Sequence, residues 1–109
     1  MATEQEYLDQ LKTMKRRPST PGDLLADLIE CNNLTQAEVA LRIGVSRATI
    51  NRVIQGHRVL TPELAHRLSR FFSSDPTLWL SFQKQVDLWD ALHMDTTLFE
   101  DIEPLQKVA

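Results

Sequence analysis

The stretch from Thr35 to Gly56 limits the possible folds of this 109-residue chain more than any other stretch does. Its sequence, TQAEVALRIGVSRATINRVIQG, predicts a helix, a sharp turn and a second helix. Thr35 and Glu38 have the spacing of a capping box at the start of the first helix, and Ser46 can cap the second. Gly44 falls at the turn, where a positive φ angle suits glycine best.

The apolar residues of the same stretch predict which side of each helix is buried. Val39 and Ile43 are one helical turn apart on the first helix, and Ile50 and Val53 share one face of the second. The outward side chains of the second helix can donate hydrogen bonds to bases or phosphates, apart from Ala48, which can contact a thymine methyl group. This pattern is typical of a helix-turn-helix, whose second helix enters the major groove of DNA. An ordinary helical hairpin with a solvated charged face is the alternative interpretation.

The outward residues of the second helix are the first candidates for contacts with DNA. They are Arg47, Ala48, Thr49, Asn51, Arg52 and Gln55. His57 follows in the next loop and can reach a phosphate. Arg47 lies at the start of the helix, which in a helix-turn-helix is the end closest to the base edges.

Charge is unevenly distributed along the chain. The formal net charge of -3 argues weakly against nucleic-acid binding, but residues 34–70 contain six arginines and only two acids. Residues 71–109 contain two lysines and seven acids. A basic centre suits a domain that meets DNA phosphates on one face. The acidic end is then expected to point elsewhere, toward a basic protein.

Length and helix signals predict a single all-α domain of five helices between residues 18 and 93. A capping residue followed by proline marks helix starts at Thr20, Thr61 and Asp75. Residues 1–17 are interpreted as a flexible segment that orders on a partner, with a helix docked on a partner or on the body as alternatives. Residues 94–109 are expected to form an acidic, irregular tail.

The last of the five helices is expected to run from about Asp75 to Leu92, and it has a broad apolar stripe. Part of this stripe is interpreted as a dimer surface rather than internal core, because tryptophan and phenylalanine are enriched in such surfaces. The candidate dimerisation residues are Trp79, Phe82, Val86 and Trp89. A two-fold dimer would let two recognition helices read a palindrome.

No recognisable arrangement of catalytic or metal-binding residues is present. The three histidines and Cys31 lack metal-ligand spacing, and neither a glycine-rich phosphate loop nor a serine–histidine–acid arrangement can be argued. We therefore expect no enzyme activity, no metal or other cofactor and no small-molecule substrate. The sequence contains no apolar run of transmembrane length and no signal-peptide core, which predicts a cytoplasmic protein that contacts no membrane.

The helix-turn-helix resembles the lambda-repressor-like family, also called the Cro/CI or XRE type. The matching positions are Gln36, Ala40, Gly44, Val45, Ile50, Val53 and Gly56. The flanking sequence is similar to HigA-type antitoxins at residues 17–23 (RPSTPGD), 78–83 (LWLSFQ), 86–89 (VDLW) and 102–105 (IEPL). Asp23, Ser81 and Val86 depart from the family pattern, which has glutamate, asparagine and tyrosine there.

The resemblance implies an antitoxin of a type II toxin–antitoxin module. Such a protein neutralises a HigB-type mRNA endonuclease and represses its own operon by binding palindromic operator DNA as a homodimer. The resemblance also adds Gln36, Ser46 and Arg58 to the candidate DNA contacts. Two alternatives remain: a phage- or plasmid-type repressor without a toxin partner, and a protein-interaction adaptor that binds no DNA. The outward Arg47, Asn51 and Arg52 argue against the adaptor.

Overall fold

The computed structural model describes residues 3–106, which form six α-helices and one short 3₁₀ turn. The elements are α1 (Glu4–Thr13), α2 (Pro21–Cys31), α3 (Gln36–Ile43), α4 (Arg47–Ile54), α5 (Pro62–Phe71), α6 (Pro76–His93) and the turn Thr96–Phe99. The described residues contain no strand, so the all-α fold class is confirmed. The expected count of five helices is corrected to six, because α1 is an additional helix. Residues 1–2 and 107–109 of the two expected terminal segments lie outside the described residues.

Side-chain caps fix where the helices begin. The cap oxygens accept hydrogen bonds from backbone N–H groups of the first turn, which have no partner inside a helix. The capping residues are Thr3, Thr20, Thr35, Ser46, Thr61 and Asp75. At Thr20 and Thr35 the cap is reciprocal, because the side chain three residues later accepts from the N–H of the capping residue. Each of these helices therefore begins at a residue whose side chain bonds to the backbone two or three residues later, within the same short stretch of sequence.

Trp79 occupies the core that α2 to α6 build together. It is fully buried, and its indole Nε1 donates to Ser74 Oγ at 3.0 Å. The apolar residues that complete this core are Leu25, Ile29, Val39, Ala40, Ile43, Ile50, Val53, Leu60, Leu64, Ala65 and Leu68. Because Trp79 has no exposed surface, its expected role in a dimer surface is corrected.

Helix α1 packs against α6. Leu11 of α1 and Val86 of α6 are both buried, at 1% and 2% exposure. The indole Nε1 of Trp89 donates to the carbonyl oxygen of Met14 at 3.0 Å, just beyond the end of α1. A helix docked on the body is thus found where a flexible segment was expected. The burial of Val86 corrects its expected role in a dimer surface as well.

The linker after α1 is tied to the same helix. Arg17 donates from Nε and Nη2 to the two carboxylate oxygens of Asp90 at 2.8 and 2.7 Å. These hydrogen bonds lower the pKa of the Asp90 carboxyl, so the pair is intact at neutral pH and is lost as the pH falls through that lowered pKa.

Phe82 and Trp89 stay half-buried, and the ring of His93 stacks on Trp89 at 4.0 Å between centroids.

Replacing Leu11 with alanine tests whether α1 is docked. We expect Leu11→Ala to lower the free energy of unfolding by roughly 2–5 kcal/mol, because it leaves a cavity beneath α1. Gln10→Ala is the matched control, since Gln10 is exposed on the same helix and its loss should change little. Urea denaturation followed by circular dichroism measures both. Equal midpoints for Leu11→Ala and the unaltered protein would mean that α1 does not contribute to the fold in solution.

Candidate nucleic-acid interface

The turn between α3 and α4 is fixed by backbone hydrogen bonds and a cap. Gly44 has a φ of 79°, in the left-handed region, as the sequence predicted. The N–H groups of Gly44 and Val45 both donate to the carbonyl of Ala40, at 2.9 and 3.0 Å. Ser46 then caps α4, because its Oγ accepts from the N–H of Thr49 at 3.0 Å. Three residues thus join two helices without a freely moving linker.

Arg67 of α5 braces this turn from outside the helix pair. Its Nη1 donates to the carbonyl oxygen of Ile43 at 2.7 Å, at the C-terminal end of α3. A cation at that end also complements the helix dipole. Glu63 holds the guanidinium in place by accepting from Nη2 at 3.0 Å and from Nε at 3.3 Å. The Glu63–Arg67 spacing was visible in the sequence, but nothing in the spacing pointed to the carbonyl of Ile43.

The start of α2 lies directly on the end of α4. A Cβ atom on Gly22 would be 2.1 Å from the carbonyl oxygen of Val53 and 2.9 Å from the Cα of Ile54. Only a hydrogen atom fits in that space, so glycine is required by the close approach of two backbones. The reciprocal cap between Thr20 and Asp23 fixes the start of α2 and hence this contact. In the sequence, Gly22 is marked only by the family resemblance of residues 17–23. The spacing of residues does not predict its close contact with α4.

The outer face of α4 is open to solvent. Ala48, Arg52 and Gln55 are exposed on the side opposite to the buried Ile50 and Val53, as the helical period requires. The structure therefore gives this face the mixture of donors and a methyl group that can read base edges in a major groove.

The remaining predicted contacts flank that face. Ser46 and Arg47 are exposed at the start of α4, and His57 and Arg58 are exposed in the loop that follows it. Thr49 is half-buried, and its hydroxyl lies 2.9 Å from Ser46 Oγ. The hydroxyl of Thr49 is thus partly committed to the cap.

Gln36 and Asn51 connect the two helices of the motif. Asn51 Nδ2 donates to Gln36 Oε1 at 3.3 Å, and both residues are half-buried. The amide nitrogen of Gln36 and the amide oxygen of Asn51 stay free for a phosphate or a base. Side chains held in this way lose less conformational freedom when they bind.

The arginines of the basic centre do not share one face. Arg47, Arg52 and Arg58 belong to α4 or to the loop after it. The other three line a cleft that contains no residue of α4, although Arg67 also lines a second pocket with Thr49 and Arg58. The lining residues of the cleft are Arg42, Ile43, Arg67, Arg70 and Phe71. The expectation of a single basic face is therefore corrected.

Two other kinds of site are absent from the described residues. In residues 3–106 no group of three or more histidine, cysteine, aspartate or glutamate side chains could hold a metal ion. Among the helices of that range, none combines the length and the apolar character that crossing a membrane requires. The α3–α4 pair and its flanks are the strongest candidate site.

Known proteins share this architecture. A helix-turn-helix family model matches residues 25–79. Antitoxin HigA-1 of Vibrio cholerae is 32% identical over 96 residues, which cover 87% of this chain and 90% of that protein. The uncharacterized helix-turn-helix transcriptional regulator YbaQ of Escherichia coli K12 is 38% identical over 81 residues, or 73% of this chain and 72% of that protein.

A solved structure extends the similarity to a protein bound to DNA. The antitoxin HigA of Pseudomonas aeruginosa, with the higBA promoter, superposes with a TM-score of 0.70 at 30% identity. The match covers 82% of this chain and 99% of that chain.

Adding a methyl group at Gly22 tests how α4 is positioned. We expect Gly22→Ala to lower the free energy of unfolding by about 3 kcal/mol, because the new Cβ meets backbone that cannot move aside. Gly56→Ala is the control: its φ is +76°, but nothing lies within 4 Å, so only backbone strain of about 1 kcal/mol is expected. Urea denaturation measures both. Equal losses for the two variants would show that α2 and α4 move apart easily.

Proposed function

The chain belongs to the helix-turn-helix family, in its HigA-type antitoxin branch, and from this premise we propose that it represses its own operon and neutralises a HigB-type toxin. It acts by binding, with no catalysis of its own. The observation that supports the DNA part is the outer face of α4, which is exposed while both ends of the helix are held. In this proposal α4 enters the major groove, with Arg47 at the base edges and Arg58 on a phosphate.

We further propose that the protein binds a palindromic operator as a homodimer. A single recognition helix contacts too few base pairs to select one operator, whereas a two-fold dimer sets two such helices about 34 Å apart. Phe82 and Trp89 remain candidates for the dimer contact because they are half-buried in the single chain. Val59 is a further candidate, since it is 66% exposed in the loop that follows α4.

The neutralised toxin is proposed to be an mRNA endonuclease, which needs a basic surface to bind RNA. The outward face of α1 is a suitable partner for such a surface. Glu6 and Asp9 lie on the side of α1 opposite to the buried Leu11, and both are exposed. Because α1 is docked on α6, this acidic face is held in place before a partner binds.

The alternative function is a phage- or plasmid-type repressor without a toxin. Co-purification with the product of the neighbouring gene separates the two functions.

Two arginine variants test the DNA-binding proposal. Arg47→Ala should weaken binding to the cognate operator by about 1–3 kcal/mol and relax the sequence preference at one position. Arg58→Ala should weaken binding to all sequences alike and lower the salt slope by about one. Fluorescence anisotropy on operator and scrambled duplexes at several salt concentrations measures both effects. Unchanged operator affinity for Arg47→Ala would show that α4 does not read the groove in this way.

Charge reversal on α1 tests the toxin proposal. Glu6→Lys combined with Asp9→Lys should abolish capture of the co-expressed toxin and leave operator affinity intact, because α1 is not part of the DNA face. The matched control is Glu100→Lys combined with Asp101→Lys, which reverses two exposed acids of the C-terminal segment. The control should keep toxin capture and its affinity for a single operator. If the control loses the toxin and the α1 variant retains it, the C-terminal segment is the toxin contact instead.

A further inference from the structure

A cleft between α3 and α5, here called the arginine cleft, contains arginine side chains without a carboxylate partner among the described residues. It has a volume of about 360 Å³ and is lined by Arg42, Ile43, Arg67, Arg70 and Phe71. The guanidinium carbon of Arg42 lies 5.3 Å from the centre of the Phe71 ring. Glu63 pairs with Arg67, but no carboxylate of residues 3–106 lies within ion-pair distance of Arg42 or Arg70. The cleft thus offers two unneutralised guanidinium groups beside an aromatic ring.

The C-terminal segment, residues 94–106, has the opposite character. It contains four acids, Asp95, Glu100, Asp101 and Glu103, and no lysine or arginine. Its apolar side chains are also uncovered: Leu98, Ile102 and Leu105 are 78%, 71% and 77% exposed. So many exposed large apolar residues in a short segment indicate a surface that is covered by a partner.

We propose that the C-terminal segment of one copy docks in the arginine cleft of a second copy. Arg42 and Arg70 would donate paired hydrogen bonds to carboxylates of the segment, most directly to Glu100 and Asp101. The neighbouring apolar side chains would pack on Phe71. Neither surface includes a residue of the proposed DNA contact, so the docking leaves α4 free.

The positions of the two surfaces favour docking between copies over docking within one chain. Phe71 lies just before α6, whereas the segment leaves at the other end of α6, after His93. The 18 residues of α6 separate these two ends by about 27 Å. The chain's own segment would have to run back along the whole of α6 before its acids reached the cleft.

Unless it forms reciprocally between the same two copies, a contact between two different surfaces does not close on itself, so it can link one assembled protein to the next. On DNA with adjacent operators, such a link would make binding cooperative. This last consequence rests on the proposed function, but the docking itself can be measured without DNA.

Complementation between two defective chains tests the proposal. Arg42→Glu with Arg70→Glu removes the cleft's charge, and Glu100→Lys with Asp101→Lys reverses the segment. Sedimentation velocity of the full-length protein should show association beyond the dimer that increases with concentration and weakens with salt. Each double variant should lose at least about ten-fold in this association, since two charge pairs are removed. An equal mixture should regain it, because each chain keeps one intact half of the contact.

The control variant reverses two exposed basic residues elsewhere, Lys12→Glu with Lys84→Glu, so that the net charge changes as in the cleft variant. It should associate like the unaltered protein. A labelled peptide of residues 94–106 provides the direct probe, and it should bind the chain with the reversed segment but not the chain with the reversed cleft. Circular dichroism verifies that every variant is folded.

Three results would overturn the proposal. The first is association by the cleft variant as strong as that of the control. The second is a mixture that associates no more strongly than its two components, which would show that the cleft of one copy does not bind the segment of another. The third is a peptide that binds neither variant. None of these results depends on operator or toxin binding, so they leave the proposed function open to its own tests.

Discussion

The orientation of α4 depends on contacts at both of its ends, and these contacts come from parts of the chain that do not touch DNA in the proposed complex. At its C-terminal end, α2 approaches so closely at Gly22 that only a hydrogen atom separates its backbone from the carbonyl of Val53. Before its N-terminal end, Arg67 binds the carbonyl of Ile43 and fixes the turn. The first contact joins two backbones, which cannot change rotamer, and the Arg67 side chain of the second is held by Glu63. The outer face of α4 is therefore presented in one orientation, which lowers the conformational entropy lost on binding.

The docking of α1 changes what a dimer of this chain can bury. Trp79 and Val86 are already covered within one chain, so they contribute no apolar surface to an interface. The apolar side chains that remain on that side of α6 are the half-buried Phe82 and Trp89 and the 40% exposed Leu78. A dimer built on these residues would bury less apolar area than one that used the full stripe. The fold of a single copy, in contrast, does not need the partner to complete its core.

The sequence predicted those features whose causes act within a few residues. The capping box at Thr35, the positive φ at Gly44 and the buried face of α4 each depend on neighbours no more than four positions away, and the structure confirms them. The docking of α1 depends on contacts across 73 and 75 residues, and the brace at Arg67 on a carbonyl 24 residues earlier. Spacing holds no information about such pairs. An apolar face like that of α1 has the same pattern whether it covers its own body or a partner.

The sequence also could not predict where the charged side chains lie relative to one another. The six arginines of residues 34–70 form one basic region in the sequence. In the fold they lie in two groups, because the helices turn their side chains in different directions. Arg47 and Arg52 lie on α4 and Arg58 lies in the loop after it, whereas Arg42 lies over the Phe71 ring beside α5. Arg67 lies between the two groups, because it lines the cleft with Arg42 and also a pocket with Arg58. In the proposed complexes the two groups would bind different anions, DNA at the outer face of α4 and carboxylates at the cleft.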